Sequence, residues 1–167
     1  MVVYEYFEPN EMVKRKSDVR IDCVIRAMCK VFNKKWLEVF DELVVIARKL
    51  QEMPNAKIVW KEYLKEKNCT YVPIKVKKGS KRPTVKSFAQ NHKEGTYVLS
   101  VAHHVVAVKD GKYYDSWDSG SCSLYSYWIV KGNQKEEQKK EIDKILQEEH
   151  ISPAELLNKL KRNKVMI

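Results

Sequence analysis

Nucleophilic cysteine chemistry needs a thiol that ionises easily and a base within reach of it, and this sequence carries candidates for both. It has four cysteines, Cys23, Cys29, Cys69 and Cys122. Asp22 is a candidate helix N-cap, and Val24, Ala27, Met28 and Val31 then recur at helical spacing. A thiol in that first turn meets the positive end of the helix dipole and N–H groups that lack helical partners, and both favour the thiolate. Cys29 lies six residues further in and faces elsewhere, while Cys69 and Cys122 fall at strand edges or in loops. The alternative for each cysteine is a small buried apolar residue. There is no CxxC pair and no Cys/His cluster with zinc-ligand spacing, so neither a metal nor any other cofactor is expected.

Of the four histidines, His92 and His150 fall at helix ends or in loops. His103 and His104 open a strand-like run that ends in Asp110-Gly111, a strong hairpin signal. A two-residue turn there pairs Lys109 with Lys112, Val106 with Asp115 and His104 with Trp117. Side chains alternate along a strand, so His104, Val106, Asp115 and Trp117 share a parity, and His104 and Asp115 are diagonal neighbours. An imidazole and a carboxylate so placed can hydrogen-bond, which orients the ring as a general base. The same count sets His103 against Asp118, and spacing alone leaves both pairs open.

The elements that must position these groups are helical first and strand-like later. A short strand is expected over Val2–Phe7, then the helix from Cys23. Asn33 is a candidate cap for a helix from Trp36 to about Gln51, with Leu37, Phe40, Leu43, Val44, Ala47 and Leu50 as its apolar stripe. Asn55 is a candidate cap for a third helix, about Ala56 to Lys67. Strands follow at Thr70–Val76, where Pro73 implies an edge or a break, and at Thr96–Val101, His104–Lys109, Lys112–Trp117 and Ser123–Val130. Thr84 caps a short helix, Val85–Asn91, between the first two of these. Beyond Gly132 the chain turns charged and helical: residues 134–149 are amphipathic, and Ser152-Pro153-Ala154-Glu155 is a capping box opening a last helix to about Asn163. The order predicts an α+β chain, with N-terminal helices packed on a mostly antiparallel sheet and a C-terminal helical hairpin. The expected division is a catalytic domain over 1–132 and a helical extension over 133–167, packed on the same domain.

The run Asp22-Cys23-Val24-Ile25-Arg26-Ala27, the later His104-Val105-Val106-Ala107-Val108 and the segment Asp115-Ser116-Trp117 resemble the papain-like cysteine peptidase superfamily, in particular small bacterial and phage-type members. The likeness covers about residues 17–130. It implies a papain-like fold with a triad of Cys23, His104 and Asp115, and so selects His104 over His103 and Asp115 over Asp118. Asp115 stands where the family has Asn, and Trp117 where a Trp shields the His–Asn hydrogen bond. The family's oxyanion-hole Gln, six residues before its Cys, is matched here by Ser17. The hole would then use backbone N–H groups, chiefly that of Cys23, with Ser17 or Asp18 as helper. Asp22–Ala27 is also similar to ovarian-tumour-type deubiquitinases, but their Asp three residues before the Cys is replaced by Arg20. Arg26 is placed to pair with Asp22 four residues earlier, a structural role.

The implied activity is a cysteine hydrolase acting on a peptide or isopeptide bond of a protein or peptide substrate through a thioester. Transglutamination and deamidation use the same machinery. Two other classes compete: a catalytically inactive binding module or inhibitor on the same fold, and a basic nucleic-acid-binding protein. The latter draws on the net charge of +10, on Lys14-Arg15-Lys16 and on loop 75–86 with six basic residues and no acid, which could meet nucleic acid or an acidic partner. A solvated lysine-rich surface is the plainer account of that loop. No apolar run is long enough to span a membrane and the N-terminus does not read as a signal peptide, so a cytoplasmic location is expected.

Overall fold

The computed structural model describes residues 3–18, 20–131, 152 and 154–155. The chain divides into two compact units, Met1–Lys131 and Gly132–Ile167, one residue from the expected boundary. In the second, Ser152 and Glu155 form the expected capping box: Glu155 accepts from the Ser152 backbone at 2.7 Å, and Ser152 Oγ accepts from the Glu155 N–H at 3.3 Å. The helices expected over 134–149 and on to Asn163 otherwise lie outside the described residues.

The first unit is α+β. Its described elements are β1 (Tyr4–Tyr6), α1 (Cys23–Phe32), α2 (Trp36–Leu50), α3 (Lys57–Glu66), β2 (Thr70–Pro73), α4 (Val85–Asn91), β3 (Thr96–Val101), β4 (His104–Lys109), β5 (Lys112–Asp115) and β6 (Ser126–Val130). The strands form one open sheet in the order β1-β5-β4-β3-β6-β2. It is mixed: β1 pairs with β5 in parallel, and the other neighbours are antiparallel.

Alternation along the strands builds two apolar layers. Val98, Val105, Ala107, Trp128 and Val130 face one way, into a core with α1, α2 and α3. Leu99, Val101, Val106, Val108 and Tyr113 face the other way, against α4 and Leu124. Each fully buried aliphatic side chain in such a core contributes about 1.5–3 kcal/mol. The buried seam of α2 is Val39, Leu43, Ile46 and Ala47. Only Leu43 and Ala47 of the expected stripe belong to it; Leu37 is 67% exposed. The apolar residues of α2 cover more than half of its circumference, so periodicity left its rotation open.

Two expected caps belong elsewhere. Asn33 ends α1 in the left-handed conformation (φ 52°), and Lys35 is the N-cap of α2. Ala56, not Asn55, caps α3. Thr84 does cap α4, its hydroxyl accepting from the Ser87 N–H at 3.2 Å. Four strands are shorter than expected: β1 covers only Tyr4–Tyr6, β2 stops at Pro73, β5 at Asp115, and β6 begins at Ser126, with Ser123 making only an isolated bridge to Thr84.

Candidate active site

The Asp110-Gly111 turn sets the register predicted for it, with Lys109 opposite Lys112, Val108 opposite Tyr113 and Ala107 opposite Tyr114. Both turn residues have positive φ (49° and 78°), which favours the Asp-Gly pair. His104 therefore starts β4 at the same end of the sheet where Asp115 finishes β5. His104 Nε2 and Asp115 Oδ2 are 2.6 Å apart. Asp115 is nearly inaccessible (1% exposed), and its other oxygen accepts from the Ser116 N–H at 2.8 Å.

Cys23 is the first residue of α1, which packs on β4 from the face opposite α4. Its thiol lies near enough to His104, where the strands end, for each group to shift the other's ionisation. With Nε2 committed to Asp115, Nδ1 is the ring nitrogen left for sulfur. Burial pushes the thiol up; hydrogen bonding to His104, the charge of that ring, the Val105 backbone and Arg26 outweigh burial and hold it below its ordinary value. For His104, burial pulls the pKa down, but Asp115 and Cys23 raise it to about 9. Both shifts favour a thiolate–imidazolium pair at neutral pH. The other three cysteines run the opposite way: burial lifts Cys29 to about 12 and Cys69 to about 11, and raises Cys122 as well.

The first turn of α1 is open at its N-terminus. Asp22 occupies the N-cap position but makes no side-chain capping bond. Its carboxylate instead accepts from Arg26 Nη1 (2.8 Å), Trp36 Nε1 (2.9 Å) and Asn10 Nδ2 (3.3 Å). Among the described residues no acceptor is seated on the N–H groups of Cys23 and Val24. Helix-start N–H groups left in this way can stabilise an anion.

The rival pair does not form. His103 is an exposed residue of the two-residue turn between β3 and β4, with φ 52°. Asp118 bonds instead to the Tyr113 hydroxyl and the Gly120 N–H. Trp117 lies beside the imidazole, with ring centroids 5.4 Å apart, but stands past the end of β5 and is 48% exposed. Ser17 is exposed, and Asp18 closes its own turn by accepting from the Lys14 and Arg15 N–H groups, each at 3.2 Å. Neither residue hydrogen-bonds to Cys23, His104 or Asp115 among the described residues.

The pairing of Arg26 with Asp22 was expected, but the reach of that cluster was not. Arg26 is buried, and it also meets Glu8 at 3.1 Å and Asp115 at 3.5 Å. Glu8, Asn10 and Trp36 carry no sequence signal for this role: their partners lie 12–18 residues away at α1, and Glu8 and Asn10 themselves sit in an irregular stretch. In the basic loop, Lys75, Lys77, Lys78 and Lys81 are exposed, while Arg82 folds back over the Tyr125 ring at 4.7 Å. No helix among the described residues is long and apolar enough to cross a membrane, and no group of three or more metal-ligating side chains occurs among them. A scan against protein-family models and searches of curated proteins and solved structures find no match to this chain.

Proposed function

We propose that the protein is a cysteine hydrolase of papain-like type that cleaves a peptide or isopeptide bond. The observation that carries this reading is the His104–Asp115 contact next to the helix-start Cys23, with the thiol held low and the imidazole held high by each other's presence. Of the four cysteines, only Cys23 has its pKa lowered.

In the proposed reaction the Cys23 thiolate attacks the carbonyl carbon, and the oxyanion forms against the N–H groups at the start of α1. His104 gives its proton to the departing amine, and a thioester remains on Cys23. Water, deprotonated by His104, then attacks the thioester and releases the acid. Asp115 keeps the ring in its working tautomer throughout. An amine in place of water would give transamidation.

A groove of about 370 Å³ adjoins the first turn of α1, lined by Ile21, Asp22, Ile25, Trp36, Phe40 and Met53 among others. Its apolar walls, with Ile21 87% exposed, suit a side chain of a peptide substrate. The exposed lysines of loop 75–86 would favour substrates or partners of acidic character. Four free thiols suit a reducing compartment, in keeping with a cytoplasmic location.

The test is cleavage of a peptide library, read by mass spectrometry, together with labelling by an epoxysuccinyl peptide probe. Cleavage and Cys23 labelling that are lost in Cys23→Ala, with cleavage lost in His104→Ala, support the reading. A chain that neither cleaves nor labels at Cys23 is the inactive binding module. Salt-sensitive nucleic-acid binding without hydrolysis marks the third class.

A further inference from the structure

One guanidinium inside this fold answers to three carboxylates, and one of those belongs to the site. Arg26 Nη1 meets Asp22 Oδ1 at 2.8 Å and Glu8 Oε2 at 3.1 Å, and Nη2 stands 3.5 Å from Asp115 Oδ1. The side chains of Arg26, Glu8 and Asp22 are 5–6% exposed, and that of Asp115 is 1% exposed. His104 takes the other oxygen of Asp115. We propose that Arg26 is a positioning residue of the active site: it holds the side of the Asp115 carboxylate that His104 leaves free, and Glu8 and Asp22 hold Arg26 there. This rests on the hydrolase reading above.

Charge explains why such a holder is needed. Glu8, Asp22 and Asp115 converge in a nearly dry space, where uncompensated negative charge is costly and a cation between the carboxylates offsets that cost. Without Arg26 the three would repel one another, and the Asp115 carboxylate would lose a contact that fixes the angle at which it meets His104. The thiolate depends in turn on the imidazolium. A guanidinium fork can serve several oxygens at fixed angles, which an ammonium group cannot.

The same device ties the start of the chain to the site. β1 pairs Tyr6 with Asp115, the Phe7 N–H donates to the Asp115 carbonyl at 2.9 Å, and the next residue is Glu8. The titratable and charged groups that face this cluster include Glu8 after β1, Asp22, Cys23, Arg26 and, near Asp22 and Glu8, Cys29 at α1, His104 on β4, Asp115 on β5, and Cys122 near Asp115. The Tyr4 hydroxyl reaches only the Asp115 carbonyl, at 3.4 Å.

The experiment follows the pH dependence of Cys23 alkylation by iodoacetamide, resolved by peptide mass, in wild type, Arg26→Met and Arg26→Lys. The expected result is an inflection moved up by about one pH unit in Arg26→Met, and by less in Arg26→Lys. Alkylation at neutral pH then slows by roughly tenfold in Arg26→Met. Leu43→Ala, a core change of comparable stability loss, leaves the inflection in place. Variants that melt earlier but keep the wild-type inflection overturn the proposal, because Arg26 would then be structural only. Should Arg26→Met fail to fold, the Arg26→Lys profile decides by the same criterion. A wild-type Cys23 with the inflection of an ordinary thiol defeats the hydrolase reading itself, which is a separate outcome.

Discussion

The indole of Trp36 donates to Asp22 Oδ2 at 2.9 Å, so the residue at the N-cap of α1 spends its carboxylate on side chains, Trp36 of α2 and Arg26 of α1, and not on the N–H groups of its own first turn. That leaves the first turn open beside Cys23. Trp36→Phe removes this donor from a buried acceptor and leaves Oδ2 with only the longer Asn10 contact, so that this oxygen can turn back and cap. The expected cost is about 1–2 kcal/mol in urea unfolding. Cys23 alkylation at neutral pH should also slow, because a capping carboxylate disfavours a neighbouring thiolate. Unchanged alkylation at the expected stability loss would show that the open turn does not matter to the thiol.

Selectivity among the cysteines follows from the opposed shifts. At neutral pH a limiting dose of iodoacetamide should modify Cys23 before Cys29, Cys69 or Cys122, all of which have raised pKa values. Peptide mapping after partial labelling reads the order directly. Equal labelling of Cys23 and Cys122 would remove the thiolate from the account.

Asp115→Asn keeps the shape of the side chain but removes its charge. Asp115 is the largest influence raising His104, so the histidine should titrate below its present value of about 9 and closer to 6.5. Imidazole NMR of the two proteins measures this. Hydrolysis should fall by up to about 10⁴, the cost of turning the orienting carboxylate of a triad into an amide. A His104 titration that does not move would mean that the contact with Asp115 carries little energy.

The same shift makes a signed statement about stability. The folded-state pKa of His104 is about 9, above its ordinary 6.5. The stabilisation from its charged form is therefore complete below about pH 6.5 and fades as pH rises through about 9. Denaturation of wild type and His104→Gln across that window should show a stability gap that closes toward high pH. A gap that widens instead would contradict the sign.

How much of this was readable in advance depends on how local each signal is. The Asp-Gly turn fixes the β4–β5 register within a few residues, so the juxtaposition of His104 and Asp115 could be counted from sequence. The same count failed at Trp117, because β5 ends at Asp115 and the pairing does not extend that far. Asparagine suits both an N-cap and a left-handed C-cap, so the sequence leaves Asn33 between two helices, and it ends α1 instead of opening α2. The α1–α3 order was legible from periodicity, but the rotation of α2 was not, since its apolar residues span more than half of the helix surface and Leu37 and Leu50 of that broad stripe end up exposed. Glu8 and Asn10 were invisible: an irregular segment has no period, and their partners are set only when α1 docks on the sheet.

The central claim is that the sulfur of Cys23 is ionised by the imidazole of His104. Its most direct test is the rate of Cys23 alkylation against pH in wild type and in His104→Ala. The account predicts a wild-type inflection below that of an ordinary thiol, and a clear upward move when the imidazole is gone. Two superimposed curves, both inflecting where an unperturbed cysteine does, would contradict it.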